Sequence, residues 1–311
     1  MNSYSPKHLK EGQHEAQASI SDNSPQRPKE EKALVSARQT PAAWAKEHPV
    51  AAGFVLVLLF VVFRKGLYFL FRALPQNTGL RVVHEVLDVI WPYLLVVLFG
   101  QTWTYKAKGF FRTLYIALPL LIASAALLVV SIVGTAEQGV EWYPFGMILL
   151  GVFTGFAIGF REESVFRAIS LNVLAAKYLK DRRGVWIAVL GSAFFFALVH
   201  MSNMMTGSSF VSCLAQTVNA FFAGAMFGAF YLRGGSLWAM IFLHGLYDIA
   251  VSVTNLFTKT YGADMLTALA ENRESSFLTV LTSNPLSLGF IAITLFLLRK
   301  SKCGEIIERY Q

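Results

Sequence analysis

Eight apolar stretches, most of them long enough to cross a bilayer as helices, occupy the chain from residue 50 onward. Their approximate limits are 50–72, 84–103, 110–133, 143–161, 184–205, 209–231, 236–257 and 277–298. A helix needs about 20 apolar residues to span the hydrocarbon core. The expected fold is therefore all-α, a polytopic membrane helix bundle of about eight transmembrane helices. Composition agrees: charged residues make up 15% of the chain and hydrophobic ones 55%, whereas a soluble domain carries about 25% charged residues. Arg64 and Lys65 interrupt the first stretch, and Glu85 and Asp88 near the start of the second place its outer end at a shallower level.

The net charge of +8 does not indicate a nucleic-acid partner, because the basic residues lie mainly in the tails and short loops. There they act as topology signals. The loop 134–142 has no Lys or Arg, whereas 162–183 carries Arg167, Lys177, Lys180, Arg182 and Arg183, the turn 232–235 carries Arg233, and the tail carries Arg299, Lys300, Lys302 and Arg309. Both termini are expected in the cytoplasm, in a membrane whose source reads as bacterial. Residues 1–46 are rich in Ser, Gln, Glu, Lys and Pro and read as a disordered tail. The transmembrane domain follows at 47–300, and 301–311 is a second cytoplasmic tail. Cys213 and Cys303 imply no disulfide framework. Ala220, Gly224 and Gly228, at four-residue spacing, read as a close helix-packing face.

Ionisable groups beside hydrocarbon mark functional sites, and this chain places three sets of them. The first is Glu162-Glu163-Ser-Val-Phe-Arg167. On a helix Glu163 and Arg167 share a face, while Glu162 is rotated by about 100°, so one acid can be paired and the other left free. Two close carboxylates also favour one that takes up a proton near neutral pH. The same residues could equally be a charged helix end. The second set is Phe196-Ala-Leu-Val-His200, whose histidine could simply bond a backbone carbonyl. The third is His244-Gly-Leu-Tyr-Asp248, where His244 and Asp248 again share a face and could be a self-satisfied pair that locks two helices together.

Taken in order, these sets resemble the CPBP intramembrane proteases, which include the CAAX-processing enzymes and bacterial homologues linked to bacteriocin self-immunity. The matching positions are Glu162-Glu163-x-x-x-Arg167, Phe196-x-x-x-His200 and His244-x-x-x-Asp248, within a core of about 150–255. The resemblance implies a membrane endopeptidase acting on a peptide or membrane-protein substrate. Glu162 with His200 would activate a water, Glu163 and Arg167 would support that geometry, and His244 with Asp248 would stabilise the oxyanion or bind a metal. Glu162, His200, His244 and Asp248 are the candidate ligands if a divalent metal such as zinc is used. The family pattern has Asn or Asp at the last position. An ionised Asp248 accepts but cannot donate a hydrogen bond, so its expected role is to orient and charge His244, which becomes the donor.

Depth poses a difficulty. His200 lies about 16 residues into its span, roughly 24 Å, and His244 about 8, roughly 12 Å, whereas Glu162 falls at the cytoplasmic end of its own. A fourth span shifted to 150–172 brings the glutamates deeper. Two other classes compete with the protease: a proton-coupled transporter and a non-catalytic immunity or binding protein. Against the transporter, the chain shows no internal repeat, and Pro92, Pro119, Pro144 and Pro285 do not pair between halves.

Overall fold

Thr40 and Pro41 open the described chain. In the computed structural model, which describes residues 40–74, 78–106, 108–259 and 286–310, the Thr40 hydroxyl accepts from the Ala43 amide and Pro41 takes the first helical position. Helix α1 (Pro41–Glu47) therefore forms inside the stretch expected to be disordered. Its cause is local: a capping hydroxyl followed by a residue preset for the first turn. Residues 1–39 of the expected tail lie outside the described residues.

The main helices follow in order: α2 (Pro49–Arg72), α3 (Thr78–Leu98), α4 (Phe110–Ile116), α5 (Leu118–Glu137) and α6 (Phe145–Glu163). A π-helical segment, Ser164–Leu171, leads into α7 (Asn172–Tyr178). Next come α8 (Arg182–Leu198), a 3₁₀ stretch Val199–Thr206, α9 (Phe210–Gly234), α10 (Leu237–Val251) and α11 (Val253–Phe257). Helices α12 (Leu286–Leu297) and α13 (Lys300–Tyr310) close the described chain. The regular structure of the described residues is helical, as expected for a membrane bundle. Large apolar side chains such as Leu58, Val62, Val130 and Phe296 point outward, the arrangement a lipid solvent favours.

Among the described residues, five helices are long and apolar enough to cross a membrane: 49–72, 118–137, 145–178, 182–206 and 210–234; 237–251 and 287–297 are shorter. Two differences from the expected spans have clear causes. Pro119 starts a new helix, so the third stretch divides into α4 and α5. The fourth stretch does not stop at residue 161: α6, the π segment and α7 form one 34-residue rod, Phe145–Tyr178. Glu162 and Glu163 thus sit near the middle of a long helix.

Helix α6 lies against α10 and α11 because it presents Gly151, Gly155 and Gly159 to them. A Cβ at Gly159 would come within 2.7 Å of the Ile241 carbonyl oxygen, and one at Gly151 within 2.7 Å of that of Leu256. Gly245 of α10 returns the contact, with Phe156 side-chain carbon 2.5 Å from its would-be Cβ. Small residues at four-residue spacing let backbones meet this closely. The anticipated face on α9 behaves the same way: a Cβ at Gly224 would meet Phe196 at 2.8 Å, and Gly228 faces Val189. Two tight glycine contacts therefore bring α8, α9, α6 and α10 together around the charged residues.

Candidate active site

The glutamates, histidines and Asp248 come from three different parts of the bundle and converge. Glu162, His200, His244 and Asp248 all line one cavity of about 540 Å³. Glu163 and Arg167 stand behind it, with relative exposures of 0% and 1%.

His244 is the hub. Its Nδ1 lies 2.7 Å from Glu163 Oε1. Its Nε2 lies 3.6 Å from Glu162 Oε2 and 3.7 Å from Asp248 Oδ2. A carboxylate only accepts, so Nδ1 donates to Glu163 and Nε2 is turned toward the two acids of the cavity. The group that holds His244 in place is thus Glu163, across two helices; Asp248 faces the opposite nitrogen, beyond hydrogen-bond distance. Glu163 in turn has Arg167 Nε 3.1 Å from its Oε2, an ion pair between i and i+4, set off the direction of the N–H bond. The Arg167 guanidinium sits 4.7 Å from the Phe196 ring centroid and 5.5 Å from that of Phe227, and its Nη2 donates to the Gly224 carbonyl at 3.3 Å. Phe196 and Phe227 also pack on His244, at 6.0 and 4.9 Å between ring centroids. The phenylalanine of the second motif is therefore a wall between cation and imidazoles.

His200 combines the two readings open to it. Its Nδ1 is 3.1 Å from the Phe196 carbonyl oxygen, and the residue lines the cavity. Because a carbonyl can only accept, Nδ1 carries the hydrogen, and the neutral ring keeps a lone pair on Nε2.

Several polar residues of the site had no motif to announce them. Arg161, 1% exposed, pairs with Asp88 of α3, and its Nη2 lies 3.6 Å from Glu162 Oε1. Asp88 also accepts from Trp91 Nε1 at 3.3 Å. Arg64 lines the cavity, and Lys65 Nζ donates to Asn203 Oδ1 at 3.0 Å and Thr206 Oγ1 at 3.4 Å. The two cations that interrupt the first apolar stretch thus leave α2 unbroken and turn inward. Charged groups inside a membrane protein face the interior or a cavity. That rule could have flagged Arg64, Lys65 and Asp88, but not their partners.

The donor types of Glu162, His200, His244 and Asp248 suit zinc, and each histidine has one ring nitrogen held by an acceptor, as metal-binding rings do. Of their ligand atoms, His244 Nε2 stands 3.6 Å from Glu162 Oε2 and 3.7 Å from Asp248 Oδ2. Among the described residues, His84, Glu85 and Asp88 also bring three ligand atoms within 4.8 Å of one another, but Asp88 is engaged by Arg161.

Residues 144–250 match the family described as type II CAAX prenyl endopeptidase Rce1-like. The match supports a CPBP/CAAX protease reading of this region, about a third of the chain. The matched region contains every one of the six motif residues and the glycines that bring their helices together. No curated protein and no solved structure shows significant similarity to the chain. In general class, the match supports a CAAX-type membrane endopeptidase.

Proposed function

We propose that this protein hydrolyses a peptide bond of a peptide or membrane-protein substrate with a water activated by Glu162 and His200. The observation that carries the proposal is the division of the two acids. Glu163 is fully buried and committed to His244 and Arg167, whereas Glu162 faces the cavity together with His200. A general base must reach the proton it takes, and of the two glutamates only Glu162 is on the cavity wall.

A water between Glu162 and His200 gives its proton to that pair and attacks the scissile carbonyl carbon. The carbonyl oxygen becomes an oxyanion, and His244 Nε2–H, directed into the cavity by the Glu163 bond on the other nitrogen, donates to it. The protonated Glu162–His200 pair then returns a proton to the leaving amine. Asp248 stands beside His244 Nε2 and keeps a proton there through its charge. Arg161 and Arg167 balance the acids: buried carboxylates without a cation are costly. The catalytic core is about 150–255, set in a transmembrane domain of 47–300, with both termini cytoplasmic and a bacterial cell membrane as the setting.

Reconstituted protein and a pool of labelled peptides test this reading. Removing a general base costs about 10²–10⁴-fold in rate. Glu162→Gln and His200→Ala are expected to lose cleavage to that extent at unchanged membrane abundance, and a chelator is expected to leave the intact protein active. Normal cleavage by both variants would overturn the proposal.

A further inference from the structure

A second cavity, of about 780 Å³, shares no lining residue with the first. It lies where the ends of α1, α7, α9 and α13 meet the Gly100–Trp103 turn. Three cations line it, Lys46, Lys180 and Arg309, and no Asp or Glu does. Lys46 and Lys180 are exposed, and among the described residues their ammonium groups have no hydrogen-bond or ion-pair partner. Arg309 Nη1 donates to the Arg233 carbonyl at 2.6 Å and the Leu232 carbonyl at 3.3 Å, which fixes it at the C-terminal end of α9.

Inside the cationic rim the lining is neutral, with Asn172, Gln101 and Tyr231 beside the apolar Ala175 and Leu179. Asn172 is 6% exposed. Its amide nitrogen donates to the Ala168 carbonyl at 3.1 Å and to the Tyr231 hydroxyl at 3.0 Å, but its Oδ1 is buried without a partner. A buried acceptor left unmade costs free energy, so this one calls for a donor. The Tyr231 hydroxyl, which accepts from Asn172, still has its own hydrogen to give. Trp103 and Tyr310 complete the walls, the amphipathic rings that sit at headgroup level. The segments that meet here (the stretch before α2, the turns near 100 and 180, the end of α9 and the C-terminal tail) are those whose Lys and Arg content reads as cytoplasmic.

We propose that this cavity binds the headgroup of an anionic phospholipid, such as phosphatidylglycerol. The phosphate sits among Lys46, Lys180 and Arg309, accepting also from Tyr231. Basic pockets between membrane helices on the cytoplasmic side recognise such headgroups. A zwitterionic phosphatidylcholine headgroup carries a cation of its own, which Lys46, Lys180 and Arg309 repel. Asn172 immediately follows the π segment that holds Arg167, so the lipid would brace the far end of the element that presents the glutamates.

Native mass spectrometry of the full chain released from nanodiscs of equal phosphatidylglycerol and phosphatidylcholine tests the site. Intact protein should retain one phosphatidylglycerol in preference to phosphatidylcholine, and retention should fall as salt is raised. The double variant Lys46→Ala/Lys180→Ala, altered only at exposed positions, should bind it roughly thirtyfold more weakly. Equal retention of both lipids by the intact protein, or undiminished retention by the variant, would overturn the proposal. So would equal thermal protection by glycerol phosphate in detergent, which would assign the site to a soluble anion.

Discussion

Arg161 and Asp88 are separated by 73 positions and paired inside the bundle. Each lies beside further charges: Glu162 on one side, His84 and Glu85 on the other. Breaking a buried pair by removing one member costs about 3–5 kcal/mol, because the other is left uncompensated, whereas replacing both with apolar residues is often neutral. Asp88→Leu is therefore expected to destabilise the protein by about that amount in detergent unfolding, and Asp88→Leu with Arg161→Met to recover most of it. A double variant as unstable as the single would show that the pair is not what holds α3 to α6. At this scale the motif residues were legible in the sequence, since an i, i+4 spacing on a helix brings side chains together whatever the tertiary fold. Glu163 with Arg167 follows that rule. The bond from Glu163 to His244 spans 81 positions and has no local signature, so the expected partner of His244 was the one four residues away, Asp248. Arg64 and Lys65 looked like interruptions because hydropathy counts a charge without knowing which way it faces.

At the scale of elements, the site exists because α6 and α10 touch at glycine. Gly151, Gly155 and Gly159 repeat every four residues, as Ala220, Gly224 and Gly228 do, but they lie in a run that reads simply as apolar, and only the second series was taken as a packing face. The π segment that follows Glu163 has no sequence signal of its own; such underwound turns occur at functional sites, and here one carries Arg167. A methyl group at Gly159 would meet backbone, the Ile241 carbonyl oxygen at 2.7 Å and the Gly245 nitrogen at 2.9 Å, so α6 and α10 must move apart. Gly146, on the same helix, has nothing within 4 Å. Gly159→Ala is expected to lower stability by about 1–3 kcal/mol and to depress cleavage sharply, whereas Gly146→Ala leaves both unchanged or slightly improved. Thermal unfolding and cleavage by the two proteins side by side check this. Equal behaviour would mean that the glycine contact does not position the site.

At the scale of the whole molecule, one cavity holds the acid–base groups near the middle of the rod, and another lies where the basic loops gather. The all-helical membrane fold was legible from hydropathy because lipid demands long apolar runs. The number of full-length spans was less so, because Pro119 divides one run and the rod 145–178 extends another into residues that carry charge. Those charges are tolerated because they face one another or a cavity rather than lipid. In the proposed function, the first cavity is a proteolytic centre whose base is Glu162. The most direct test is to map peptide C-termini in membranes containing the intact protein and in membranes with Glu162→Gln at matched abundance. New C-termini present only with the intact protein are the predicted result. The same set of C-termini in both membranes would contradict it.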